Sequence, residues 1–88
     1  MSIYWYLVTL TTVHYYKFGT IQAYPTTAIG TVEIESQANA QVISQTIIEL
    51  GKKAWDEQWG EEIESDDDFI INFIKWKIIT NTSKTSLD

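Results

Sequence analysis

A run of β-branched and aromatic residues near the start of the chain constrains the fold most strongly. Residues 3–13 read IYWYLVTLTTV, and such side chains fit the pleated surface of a sheet better than they fit a helix. In the first half of the run, apolar residues occupy both alternating sets of positions, which is the pattern of a strand covered on both faces. We therefore expect residues 3–13 to form a central strand.

Two further segments also have the composition of strands. Apolar and acidic or polar residues alternate over residues 30–35, which predicts an antiparallel strand with one face in water, and its exposed glutamates suit a sheet edge. Residues 69–79 are again apolar on both sides, so we expect this strand to be covered on both faces. Residues 14–27 are aromatic but contain Gly19 and Pro25, so either a hairpin strand or a long loop fits them.

The segment between the last two strands predicts one amphipathic helix. Apolar residues recur at intervals of three and four over residues 42–54, and Ser36 or Asn39 is available as the N-cap. Gly51 costs about 1 kcal/mol relative to alanine inside a helix, so it marks either a close contact with the sheet or a weak point. Gly60 is well placed to end the helix.

These elements predict an α+β fold with a three- or four-stranded, mainly antiparallel sheet and one helix packed on one face, in the order β-β-β-α-β. The chain of 88 residues is long enough for one domain, which we place at residues 1–79, followed by a polar tail at 80–88. Cysteine is absent, which excludes a disulfide framework and a thiol nucleophile. The N-terminus lacks the basic segment of a signal peptide, so we expect a cytoplasmic protein that does not bind membranes.

The distinctive chemistry of the chain lies in residues 55–69, which hold eight of its twelve carboxylates and no basic residue. The net charge is −6 and arginine is absent, which disfavours direct binding of nucleic acid. An acidic face is instead attracted to basic surfaces, including the grooves with which other proteins bind DNA or RNA. An excess of acidic residues also serves solubility alone, and this interpretation stays open.

Metal binding and catalysis are alternative interpretations of the same acidic run. Glu62, Glu64, Asp66 and Asp68 would line one side of an extended segment and could gather hard cations, but their order is not that of a calcium loop. Two carboxylates across a groove could serve as acid and base, and His14 could join a serine and an aspartate, yet nothing in the sequence predicts the necessary cleft. We therefore expect no catalytic residue, no metal ligand and no cofactor.

Two tryptophans four residues apart lie at the start of the acidic run and share one side of the predicted helix. A tryptophan at a helix end can either anchor a partner or pack in the core, and the sequence favours neither role. The predicted partner-binding set comprises both tryptophans and the acidic residues that follow them: Trp55, Glu57, Trp59, Glu61, Glu62, Glu64, Asp66, Asp67 and Asp68.

Residues 47–79 resemble small phage-encoded inhibitors, including some anti-CRISPR proteins, in their succession of amphipathic helix, tryptophan, acidic run and terminal strand. The leading hypothesis is a non-enzymatic inhibitor whose acidic, tryptophan-flanked face occupies the basic groove of a nucleic-acid-binding protein. A second is a structural or assembly module whose aromatic strands extend a sheet across a homodimer, because residues 3–13 and 69–79 need cover on both faces. A third is a small metal-binding protein or enzyme that uses the carboxylates.

Overall fold

The sheet has three strands, and the first strand is its centre. The computed structural model describes residues 1–15, 19–61 and 69–81. Strand β2 and strand β3 both pair antiparallel with β1, in the order β2-β1-β3, and the helix α1 packs on one face. The α+β prediction and the central position of the first strand are confirmed. The elements are β1 (Ser2–Tyr15), β2 (Ile21–Ile34), α1 (Ala40–Trp59) and β3 (Phe69–Asn81).

The first two strands form a long hairpin, so the predicted order of elements shortens to β-β-α-β. β2 pairs with β1 along its whole length, so residues 14–15 and 21–27 of the unassigned segment are strand. Gly19 lies in the connection with φ of 81°, a left-handed conformation that favours glycine. Pro25 lies inside β2 opposite Thr11, and it is tolerated there because β2 is an edge strand that needs only one ladder of hydrogen bonds.

The core lies between α1 and one face of the sheet. The helix contributes a ridge of buried residues four apart, which are Ile43, Ile47, Gly51 and Trp55. They face the even-numbered residues of β1, where Val8 and Leu10 are fully buried. A Cβ atom on Gly51 would lie 2.8 Å from Cδ2 of Leu10 and 3.0 Å from Cγ1 of Val8. The prediction of a close contact at Gly51 is therefore confirmed.

Both ends of α1 lie where the sequence predicts them. The side chain of Asn39 caps the first turn by accepting a hydrogen bond from the backbone N–H of Val42 at 2.9 Å. The helix ends at Trp59, and the backbone N–H of Gly60 donates to the carbonyl of Asp56 at 2.8 Å. Gly60 has a helical φ of −60°, so its backbone conformation does not require glycine. The reason for glycine is steric, because a Cβ atom there would collide with the carbonyl oxygen of Asp56.

β3 forms the second edge of the sheet, and among the described residues it pairs only with β1. Its register with β1 shifts twice, and beside the second shift Oγ1 of Thr11 donates to Oδ1 of Asn72 at 2.6 Å. The strand continues to Asn81, two residues beyond the predicted boundary at residue 79. The rest of the predicted polar tail, residues 82–88, lies outside the described residues.

The sheet face opposite α1 is open. The open face consists of the odd-numbered residues 3–13 of β1 and their paired residues in β2 and β3. On it Ile29, Ile70 and Phe73 are 63%, 52% and 49% exposed, so the predictions that the last strand and the first half of the first strand are covered on both faces are wrong. The physical reason is that a single helix covers only one side of a sheet. Within the described ranges, neither a helix nor another strand packs on the open face.

Candidate binding surface at the end of the helix

The C-terminal end of α1 carries the part of the predicted surface that the structure describes: Trp55, Glu57, Trp59 and Glu61. The other predicted residues, Glu62, Glu64, Asp66, Asp67 and Asp68, lie outside the described residues. We use the term acidic helix end for Asp56, Glu57, Trp59 and Glu61. Asp56 belongs to it because its side chain is exposed on the same last turn, although the sequence analysis did not select it.

Trp55 belongs to the core. Its side chain is 0% exposed and packs with Leu10 and Tyr24. Its indole Nε1–H donates to the carbonyl of Tyr24 at 3.0 Å, and its ring meets the ring of Phe69 edge to face at 5.2 Å between centroids. Of the two roles that the sequence allowed for this tryptophan, core packing is the one it has. A fully buried ring cannot contact a partner, so the role of surface anchor is corrected for Trp55.

Trp59 lies one turn further along α1 and is half-buried. Its indole Nε1–H donates to the carbonyl of Pro25 at 3.0 Å, and its ring packs edge to face on Tyr24 at 5.0 Å between centroids. These two contacts fix the ring while leaving part of it in water. Trp59 is therefore the tryptophan of the predicted pair that has surface available for a partner.

Three hydrogen bonds attach the last turns of the helix to a short stretch of β2. The two indoles bond to the successive carbonyls of Tyr24 and Pro25, and Oγ1 of Thr26 donates to Oε1 of Gln58 at 2.8 Å. Sequence reasoning missed this attachment. The available signal was the tryptophan pair itself, because a buried indole N–H needs an acceptor and the edge strand that holds Pro25 has carbonyls to offer.

The carboxylates of the acidic helix end lie where the helix dipole is unfavourable to them. Asp56, Glu57 and Glu61 are all exposed, and the last turn of α1 contains no basic residue. The C-terminal end of a helix carries a partial negative charge, so a carboxylate there is repelled and a cation is attracted. The arrangement concentrates negative potential at one end of a helix that is anchored to the sheet.

The nearest lysines do not cancel this charge. Lys52 places its Nζ 5.6 Å from the centroid of the Phe69 ring, on the side of α1 that faces β3. Lys53 precedes Glu57 by four positions, which is the less favourable order for an ion pair on a helix. In the part of the chain that the structure describes, no ion pair joins either lysine to Asp56, Glu57 or Glu61. Neither Lys52 nor Lys53 therefore neutralises the negative charge of the acidic helix end through an ion pair.

The described residues provide no site for metal chemistry, since they contain no group of three or more His, Cys, Asp or Glu side chains that could hold an ion. Over the same ranges, no helix has the length and apolar character needed to cross a membrane. Comparison with known proteins adds no identification: no family model, no curated protein and no solved structure matches this chain.

Proposed function

We propose that the chain is a non-enzymatic binding protein whose acidic helix end, together with the carboxylates that follow it, occupies the basic groove of a nucleic-acid-binding partner. On this proposal it acts in the cytoplasm as a phage-encoded inhibitor of the anti-CRISPR kind. The observation that carries the proposal is the position of three exposed carboxylates at the C-terminal end of α1, with Asp56 and Glu57 on its last turn and Glu61 two residues beyond it, without a basic residue among them.

Carboxylates at this end of α1 reduce the stability of the helix. Each carboxylate near a helix C-terminus loses about 0.3–1 kcal/mol relative to a neutral or basic residue, and neighbouring carboxylates also repel one another. Acidic residues that served solubility alone could lie anywhere on the surface, including the first turn of α1, which contains none. Residues that oppose local stability are expected where function requires them.

The rigidity of the acidic helix end supports the same proposal. The hydrogen bonds of Trp55, Trp59 and Gln58 fix the last turns of α1 on β2, so the carboxylates of Asp56 and Glu57 project from an anchored backbone. A preformed charged surface loses little conformational entropy on binding. Opposing basic side chains then accelerate association and favour partners that normally bind polyphosphate.

A pull-down from a bacterial lysate at low and high salt tests the proposal, with captured proteins identified by mass spectrometry. We expect capture of a nucleic-acid-binding protein at low salt, its release at high salt, and its displacement by added DNA or RNA. The double variant Glu57→Lys, Glu61→Lys should lose this protein at low salt. The matched control is the double variant Glu35→Lys, Glu49→Lys, which makes the same charge change at two exposed positions outside the acidic helix end, and it should retain the protein.

Two results would contradict the proposal. The double variant Glu57→Lys, Glu61→Lys could capture the same protein with the same salt dependence as the wild type, which would show that the acidic helix end does not contact it. Alternatively, the control variant Glu35→Lys, Glu49→Lys could abolish capture as fully as Glu57→Lys, Glu61→Lys, which would show that total charge matters and position does not.

A further inference from the structure

We infer that the open face of the sheet is the interface of a homodimer, in which a second copy of the chain packs sheet against sheet. The inference does not rest on the proposed function. The open face carries apolar side chains from all three strands, with Trp5 and Leu7 at its centre, Ile29 on β2 and Phe73 on β3. An exposed apolar patch on this scale is typical of an interaction surface.

The charge of the open face distinguishes it from the rest of the molecule. Register places Lys75 and Lys77 on it, beside Leu7 and Trp5. Among the described carboxylates, register places only Glu33 on this face, opposite Ile3. Two copies with a net charge of −6 each can therefore meet here without bringing their acidic helix ends together, because those ends belong to the helix layer on the other side of the sheet.

The size of the open face matches what a dimer needs. All three strands are paired between Ser2 and Thr12, a length of roughly 35 Å at about 3.4 Å per residue, and three strands about 4.8 Å apart span roughly 14 Å. The flat area is then about 500 Å² per copy. Two copies together would bury roughly 1,000 Å², which is the lower bound for a specific interface. This area treats the sheet as flat and leaves out the additional surface of the protruding side chains.

The charges on the open face are self-complementary under a two-fold axis that runs parallel to β1 between the two sheets. This axis places β2 of each copy over β3 of the other. Glu33 lies at the level of Ile3, and Lys77 lies at the level of Trp5, two residues further along β1. Glu33 of one copy therefore lies over β3 of the second copy. It is offset from Lys77 there by two residues, which is roughly 7 Å along the strand. Symmetry makes the pair twice, at opposite rims of the interface.

Sedimentation equilibrium from low to tens of micromolar concentration tests the inference on the full chain. We expect the wild type to be a dimer at the upper end of this range and Ile29→Lys and Phe73→Lys to be monomers there. The matched control is Ile78→Lys, at a residue that is 46% exposed on β3 but lies opposite Tyr4 on the helix side of the sheet. This control should dimerise like the wild type, and circular dichroism should show that all three variants are folded.

A charge exchange tests the arrangement of the two copies. Glu33→Lys and Lys77→Glu should each weaken dimerisation at low salt by about tenfold, since each variant breaks both symmetric pairs and creates repulsion. The double variant should recover to within about twofold of the wild type. If the two effects instead add, the proposed two-fold arrangement is wrong.

Three results would overturn the inference as a whole. The wild type could stay monomeric at the highest concentration, or Ile29→Lys could leave a dimer intact. Loss of the dimer in Ile78→Lys would equally count against it, because it would indicate pairing along the edge of β3 in place of packing on the open face.

Discussion

The two faces of the sheet contain similar residues but have different surroundings. On the helix side, Val8 and Leu10 of β1 are 0% exposed under α1. On the open face, Ile29 and Phe73 have comparable apolar side chains and remain about half exposed or more. The composition of a strand therefore indicates whether both of its faces can be buried. The number of helices that pack on the sheet decides how many faces are buried within one copy of the chain.

The largest expected effect comes from deleting the same side-chain atoms on each face. Ile47→Ala should reduce the free energy of unfolding by about 2–5 kcal/mol, because Ile47 is fully buried in the core and its truncation leaves a cavity. Ile29→Ala, at an exposed position, should cost at most about 1 kcal/mol in a dilute sample. Urea unfolding of both variants makes the comparison.

Measuring both variants over a range of protein concentrations tests the difference between the two faces further. If the open face packs on a second copy, the cost of Ile29→Ala should rise with protein concentration, while the cost of Ile47→Ala relative to the wild type should not, since folding is then linked to association only through the open face. Equal costs for the two variants in a dilute sample would contradict the assignment of covered and open faces.

An intermediate effect is expected at Gly51, where α1 packs closely on β1. Gly51→Leu should cost about 2–3 kcal/mol, because even a Cβ atom would lie 2.8 Å from the side chain of Leu10, and the overpacking exceeds the gain of about 1 kcal/mol in helix propensity. Lys53→Leu introduces the same side chain at an exposed position of α1 and should change stability by less than about 0.5 kcal/mol. A Gly51→Leu variant as stable as the wild type would show that α1 lies further from the sheet.

Two neighbouring threonines of β1 should respond in opposite directions to the same substitution. Oγ1 of Thr12 is buried on the helix side and has no hydrogen-bond partner among the described residues, so Thr12→Val should stabilise the fold by about 1 kcal/mol. Thr11, on the open face, donates to Asn72, and Thr11→Val should destabilise it by about 0.5 kcal/mol. Thermal unfolding of both variants checks the signs. A loss of stability in Thr12→Val would indicate a partner for its hydroxyl outside the described residues.

The sequence predicts the elements of this fold better than their surroundings. The strands at residues 3–13, 30–35 and 69–79 and the helix capped by Asn39 follow from periodicity and local chemistry, which act within a few residues. The segment at 14–27 could not be assigned, because Pro25 indicates a break unless its strand is known to lie at an edge. That knowledge depends on the pairing of distant residues.

The candidate site was predictable in outline only. The acidic run and the tryptophan pair are visible in the sequence, but periodicity cannot tell that Trp55 is buried against Phe69 while Trp59 remains half-buried beside Pro25. Two residues four apart share one side of a helix, so their spacing alone gives them the same orientation.

On the proposed function, the carboxylates at the C-terminal end of α1 are positioned for binding at a cost in stability. The most direct measurement is the free energy of unfolding at low salt of Glu57→Lys and Glu61→Lys, beside Glu49→Lys as the control within the helix. We predict a gain of about 0.3–1 kcal/mol for each of the first two, shrinking as salt is added, and almost no change for the control. A loss of stability in Glu57→Lys and Glu61→Lys would contradict the claim, because it would show that these carboxylates stabilise the fold.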